Sequence, residues 1–350
     1  MFNLSAFVVQ NMQNIFNIQT ETQFRQKCLE TFRYQYENVE VYRKFVDFLN
    51  IKPDQIDAIE KIPFLPIEMF KNHTISDKNK TTGLFFQSSG TTQMNLSKHW
   101  IADENLYQQS IYQSFEQFIG KPEDYIFLGL LPSYLEKQHS SLIYMVDFLM
   151  RKSGKPENGY FLYNHQELSE LLQKLSRENK KVILFGVSFA LLDFLDFAET
   201  NHQMTASSHL TIIETGGMKG RKQEMTKDEL LNILQKGFGT EKIYSEYSMT
   251  ELLSQAYSLG QNIYESPNWM RILIRNTEDP FSYVESGKTG AINIIDLANI
   301  HSCSFIATQD LGKIIPEIAD SAFKEINVQK FQVLGRIDHS DIRGCSLLVS

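Results

Sequence analysis

The sequence predicts an α/β protein: a parallel β-sheet wound with crossover helices, followed by a β-rich subdomain. Three observations lead there. From Tyr125 to Glu251, apolar runs of strand length alternate with amphipathic stretches of helix length, the pattern of parallel strands joined by crossover helices. From Arg271 onward the helical spacing stops and short strand-like runs follow one another. The length, 350 residues with 42% hydrophobic and 22% charged residues, is ordinary globular usage with room for a large core.

Taken in order, apolar residues recur at helical spacing from Thr22 to Leu49, with Phe24, Cys28 and Phe32 on one stripe, predicting one or two amphipathic helices and a core position for Cys28. Two prolines three residues apart, Pro63 and Pro66, make Ile62 to Ile67 an extended connector. Leu84 to Phe86 and Lys98 to Ile101 read as short strands around a hydroxyl-rich loop. Asp103 can cap a helix that buries Tyr107, Ile111, Phe115 and Phe118. Tyr125 to Leu131 and Lys181 to Phe185 are continuous apolar runs, hence strands covered on both faces. Leu142 to Met150, Glu167 to Ser176, Phe189 to Ala198 and Asp228 to Leu234 read as helices, and Leu210 to Ile213 and Ile243-Tyr244 as strands. The β-rich part is Arg271 to Ile274, Ala291 to Ile295, Phe305-Ile306 and Phe331 to Leu334.

Charge and cysteine usage exclude several classes. Thirty-four basic against 42 acidic residues give a net charge of -8, and the basic ones are dispersed, which argues against nucleic acid as a partner. The three cysteines, Cys28, Cys303 and Cys345, have neither zinc spacing nor an even count, so free thiols and a cytoplasmic location are expected. The most apolar stretch, Val182 to Ala198, carries Asp193 and Asp196, so no membrane span is expected.

The loop Ser88-Ser89-Gly90-Thr91-Thr92 has the chemistry of a phosphate cradle: the glycine admits close backbone approach, and the N–H and hydroxyl groups can converge on an anion. No lysine follows at Walker A spacing. A polar hairpin turn would read the same way. Gly216-Gly217 and the Tyr247 to Glu251 run both fall at strand ends, where ligands of parallel sheets sit.

Four runs in this order resemble the adenylate-forming enzymes, the superfamily of acyl-CoA synthetases, luciferases and peptide-synthetase adenylation domains. Ser88 to Thr92 resembles their phosphate loop, Tyr247-Ser248-Met249-Thr250-Glu251 their Y-G-x-T-E motif, Thr308-Gln309-Asp310-Leu311-Gly312 their T-G-D-L-G motif, and Gly335-Arg336-Ile337-Asp338 their G-R-x-D hinge. Pro63 to Pro66, Ser97-Lys98-His99 and Thr215 to Arg221 resemble most closely the acyl-protein synthetases of the LuxE type. The resemblance spans Pro63 to Cys345.

The resemblance implies a carboxylic, fatty acid substrate, ATP and Mg²⁺, and an acyl-AMP intermediate. It implies that Ser88, Ser89, Gly90, Thr91 and Thr92 hold the β- and γ-phosphates, Glu251 the metal and Thr250 the α-phosphate. Tyr247 would face adenine, Gly216 and Gly217 would approach the base or the substrate, Asp310 would accept from the ribose hydroxyls, and Arg336 would reach ribose or phosphate. Cys345 would receive the acyl group as a thioester for an acyl-accepting reductase or carrier protein, with Arg343 stabilising the thiolate. Cys303 is expected in the core. The implied domain plan is an adenylate-forming domain over 1–334, helical to about residue 75 and β-rich over about 265–334, then a hinge and short tail over 335–350.

The sequence departs from the family pattern in several places. Gln93 stands where glycine is common, the Pro-Lys pair after the loop is missing, and Ser248 and Gln309 each replace a glycine. The sequence ends twelve residues after Asp338, so the further domain of about a hundred residues that supplies a lysine in most relatives is expected to be essentially absent. Lys98, Lys219 and Arg221 are candidates to supply that charge, with Lys219 and Arg221 favoured by their place after the glycine pair. Two other readings stay open: an acyl- or aryl-CoA or carrier-protein ligase with the same first step, and a catalytically silent nucleotide- or acyl-binding subunit.

Overall fold

A computed structural model describes residues 15–80, 83–88, 96–132, 138–201, 209–216, 225–316 and 329–337. The N-terminal helical stretch breaks in two, α1 (Glu21–Asn38) and α2 (Glu40–Phe48), with Thr20 and Gln23 forming a reciprocal capping box at the start of α1. β1 (Leu65–Pro66) lies within the proline connector and is followed by the short α3 (Met69–Asn72). β2 (Leu84–Gln87) and β3 (Lys98–Ile101) form an antiparallel hairpin. Asp103 caps α4 (Glu104–Phe118), its carboxylate accepting from the Leu106 N–H at 3.0 Å.

The alternating region follows: β4 (Ile126–Leu130), α5 (Ser141–Ser153), β5 (Gly159–Tyr160), α6 (His165–Arg177), β6 (Val182–Val187), α7 (Ser188–Thr200), β7 (Leu210–Thr215), α8 (Lys227–Phe238) and β8 (Ile243–Tyr247). Then come β9 (Ala256–Ser258), β10 (Tyr264–Glu265), β11 (Met270–Arg275), β12 (Gly290–Asp296), β13 (Phe305–Ile314) and β14 (Lys330–Arg336). β5, β4, β6, β7 and β8 pair in parallel in that order, as the strand–helix alternation predicts. Beyond β8 the same sheet continues antiparallel through β9, β10, β14, β13, β12 and β11, with β1 added in parallel to β13. The β-rich part is therefore hydrogen-bonded into the sheet of the α/β part.

Neighbouring residues of the parallel strands point to opposite faces, and both faces are covered. Leu128, Leu184 and Ile212 pack with Leu172 of α6, Leu191 of α7 and Leu234 of α8. Their neighbours Phe127, Ile183 and Ile213 pack with Phe115 of α4 and Leu149 of α5. Burial on both sides is why β4 and β6 read as unbroken apolar runs rather than alternating ones. Cys28 and Cys303 are free thiols and fully buried, in the core positions expected of them. Among the described residues no helix is long and apolar enough to cross a membrane.

Candidate active site

The parallel strands end together on one edge, and there the ends of β7 and β8 lie near Asp310 and Arg336. The register Thr215↔Glu246 sets Gly216, at the end of β7, beside Tyr247 at the end of β8. Gly216 has φ +75°, a left-handed conformation that a residue with a Cβ rarely adopts. Next to them β13 and β14 bring Asp310 opposite Arg336. The β12–β13 register slips between Ala291/Leu311 and Asn293/Ala307, an irregularity at the level of Asp310. Bulges of this kind commonly re-aim a side chain beside a functional site.

Asp310 is held from two sides. The Tyr247 hydroxyl donates to Asp310 Oδ2 at 2.8 Å, and Arg336 Nε lies 3.4 Å from Oδ1. Its backbone N–H donates to Thr308 Oγ1 at 3.1 Å. An ionised carboxylate offers about four acceptor directions, so Oδ1 and Oδ2 retain capacity for further donors. The Tyr247 ring packs edge-on against Tyr264 and Phe331, with centroids 5.9 and 6.0 Å away. Burial, then the charge of Asp310, push its phenol well above the ordinary range, so it stays a donor. Gln309, where the family pattern has glycine, spends its amide on the Glu68 carboxylate.

Glu251 sits one step further along. Its side chain is 5% exposed, and burial raises its pKa while the Ser97 hydroxyl and the charges of Arg336 and Lys71 pull it down. Ser97 ties this carboxylate to the base of the hydroxyl loop: Ser88 N–H donates to the Ser97 carbonyl at 3.1 Å, and Ser97 N–H donates to Ser88 Oγ at 3.0 Å. Arg336, through its charge on Glu251 and its contact with Asp310, belongs to both halves of the cluster.

Three buried polar side chains, not singled out in the sequence for this role, hold the Thr250–Ser254 segment. His99 Nδ1 donates to the Thr250 carbonyl at 2.9 Å, and burial holds its pKa down at about 4, so the ring is neutral. Asn299 Nδ2 donates to the Glu251 carbonyl at 2.7 Å. Asp296, fully buried, accepts from Leu253 N–H at 2.8 Å, Ser254 N–H at 3.0 Å and Ser254 Oγ at 2.6 Å. The available signal was the placement of Asp296 and Asn299 in the otherwise apolar run Ile294 to Ile300, and of His99 inside a strand.

Of the other sequence candidates, Thr250 is half-buried beside Glu251, and Lys98 is exposed with Nζ 5.4 Å from the Phe85 ring centroid. Ser89, Gly90, Thr91, Thr92, Gly217, Lys219, Arg221 and Cys345 lie outside the described residues. Among the described residues no three metal-binding side chains cluster. Glu251 would offer its carboxylate to a magnesium ion, with phosphate and water supplying further oxygens, which is how Mg²⁺ is usually held. The donor set fits.

The model of the acyl-protein synthetase family LuxE matches residues 11–110 and 143–350. The chain belongs to this family. It is an ATP-dependent acid–thiol ligase, and ATP with Mg²⁺ are the cofactors general to such enzymes. A 2-hydroxyisobutyryl-CoA ligase, solved in an open conformation with 2-HIB-AMP and CoA, aligns over 91% of this chain and 70% of its own at 12% identity and a TM-score of 0.65. The same ligase in its thioesterification state gives 13% identity and a TM-score of 0.64, over 91% of this chain and 68% of its own. ATP-bound MatB from Rhodopseudomonas palustris aligns over 76% of this chain and 49% of its own, at 14% identity and a TM-score of 0.52. At these identities the likeness is one of fold, that of the adenylate-forming ligases. No curated protein matches the sequence.

Proposed function

We propose that this acyl-protein synthetase activates a fatty acid as acyl-AMP and then carries the acyl group on Cys345 to a partner, a reductase or carrier protein. The observation that carries this reading is the meeting of Tyr247, Asp310, Arg336 and Glu251, from three separate stretches of chain, at the carboxyl edge of the parallel strands.

In the first step a carboxylate oxygen of the acid attacks the α-phosphorus of ATP and pyrophosphate leaves. Two anions must approach, so positive charge and hydrogen-bond donors have to be in place beforehand. Ser88, Ser89, Gly90, Thr91 and Thr92 offer N–H and hydroxyl donors to the β- and γ-phosphates. Asp310, oriented by Tyr247, accepts from the ribose hydroxyls, and Gly216 and Gly217 let the backbone approach the base or the acid. Thr250 bonds the α-phosphate, and Glu251 holds the magnesium ion, which supplies charge neutralisation when bound. Arg336, Lys219 and Arg221 add positive charge. In the second step the Cys345 thiolate attacks the acyl carbon, the C–O bond to AMP breaks, and AMP leaves with its electron pair. Residues 1–334 would form the adenylate-forming unit and 335–350 the hinge and tail that bring the thiol in.

The test is incubation of the full chain with ATP, magnesium and radiolabelled fatty acid, without added thiol. Hydroxylamine-sensitive label on Cys345, absent from Cys345→Ser, is expected. Label that appears only on added coenzyme A or phosphopantetheine would instead identify a free-thiol ligase.

A further inference from the structure

A cavity of about 610 Å³ lies between the N-terminal helical region and the β-rich part. Its volume falls in the range of about 300–1,000 Å³ usual for small-molecule sites. Phe45, Leu49, Ile51, Ile56 and Phe64 give it apolar walls, and Ala307 of β13 lines it as well. None of Ser88, Ser97, Tyr247, Glu251 and Asp310 lines it. At its rim Phe281 is 63% exposed, an aromatic ring left in water beside an apolar opening.

Asn50, Lys52, Gln55, Glu60 and Lys61 also line the cavity, and on the side of the β-rich part three polar groups, Arg275, Asn293 and Tyr283, lie together. Arg275 Nη1 donates to the Ile292 carbonyl at 2.9 Å and the Asn293 side-chain oxygen at 2.7 Å, and Nη2 donates to the Thr308 carbonyl at 2.6 Å. These acceptors are all neutral, and among the described residues no carboxylate forms an ion pair with it. Glu68, whose charge acts on it from further off, is itself engaged by Gln309. Glu60, the carboxylate in the lining, is held by Arg25 at 3.3 Å, and a half-buried guanidinium whose hydrogen-bond acceptors are all neutral, beside an apolar wall, is complementary to a molecule with an alkyl body and an anionic head.

We propose that this cavity is a binding site for an alkyl carboxylate, with the chain against Phe45, Leu49 and Ile56 and the carboxylate toward Arg275, separate from the site where an acid would react. The proposal lies beyond the adenylation reading and does not require it. It also places the ligand next to that machinery, because the carbonyl of Thr308 accepts from Arg275 and its hydroxyl from the Asp310 N–H.

The test uses the full chain without nucleotide, titrated calorimetrically with decanoate, octanoate and decylamine. Decanoate should bind more tightly than octanoate by about fourfold per methylene, and decylamine at least about tenfold more weakly than decanoate. Leu49→Trp, which fills the cavity, should remove one equivalent of bound decanoate, and Phe281→Ala, at an exposed rim position, should weaken that equivalent without unfolding the chain. Decanoate-dependent pyrophosphate exchange should stay within about twofold of wild type in Leu49→Trp, since the reacting acid sits elsewhere. Unchanged decanoate binding in folded Leu49→Trp, or equal affinity for the amine, would overturn the proposal. So would loss of binding and of decanoate exchange together, because the cavity would then hold the reacting acid. Absence of exchange in wild type with every acid would remove the adenylation reading while the titration still decides this one.

Discussion

Replacing Tyr247 by phenylalanine isolates one hydrogen bond. The ring keeps its edge-on packing against Tyr264 and Phe331, and only the hydroxyl that donates to Asp310 Oδ2 at 2.8 Å is lost. A bond from a neutral donor to a carboxylate contributes about 1.5–3 kcal/mol. The other contact on Asp310 is weaker, since Arg336 Nε lies 3.4 Å away on a side chain that is 77% exposed. Exposed ion pairs of that kind contribute about 0–1 kcal/mol. Tyr247 is thus the main constraint on the carboxylate assigned to the ribose. At about 1.4 kcal/mol per factor of ten, Tyr247→Phe should lower kcat/KM for ATP in pyrophosphate exchange by about 10- to 150-fold, mostly through KM. Arg336→Gln should cost about fivefold or less if the guanidinium acts only through Asp310, and more if it also touches the nucleotide. An ATP KM within about twofold of wild type in a folded Tyr247→Phe would refute the reasoning.

Other expectations follow from the same geometry. His99 is buried and neutral with its pKa held down at about 4 against an ordinary 6.5, so its contribution is present above pH 6.5 and lost as pH falls from there toward 4. That loss is on the order of 3 kcal/mol, and urea midpoints of wild type and His99→Gln should converge across this window; parallel curves would contradict it. Asp296→Asn puts an amide where donors from Leu253 and Ser254 converge, and should destabilise the chain by about 2–4 kcal/mol while weakening exchange through displacement of Glu251. A stability within about 0.5 kcal/mol of wild type would show that this carboxylate does not hold the segment. Native protein treated with a thiol reagent should leave Cys28 and Cys303 unmodified, because burial pushes both thiols up, Cys303 to about 12. Rapid labelling of either one before unfolding would place it outside the core.

The parts of the fold that could be read directly were those where one physical demand sets the residue pattern. Strands β4 and β6 are buried on both faces and so appear as unbroken apolar runs, and α4 announces itself with Asp103 and a helical stripe. β13 was read only as Phe305-Ile306, since its second half, Thr308 to Gly312, carries polar residues toward the candidate site. β5 and β10 have two residues each, too few for periodicity to register. Of the site, Tyr247, Glu251, Asp310 and Arg336 were legible through family motifs whose residue types the chemistry needs. Asp296 and Asn299 were not, because a buried polar side chain is recognisable only once its partners, in the case of Asp296 more than forty residues away, are brought beside it; His99 lay within the family run Ser97-Lys98-His99, but its bond to Thr250 was not readable there. The merging of the β-rich part into the parallel sheet was equally out of reach, since it depends on which strands become neighbours across the turn from β8 to β9.

The central claim is that the Tyr247–Asp310–Arg336–Glu251 cluster binds ATP and couples it to a carboxylic acid. Exchange of labelled pyrophosphate into ATP, measured across a panel of fatty and aryl acids in wild type, Asp310→Asn and Glu251→Gln, tests it most directly. Acid-dependent exchange in the wild type, strongly reduced in both folded variants, is the predicted result. Exchange that survives undiminished in both variants, or none in the wild type with any acid, would contradict it.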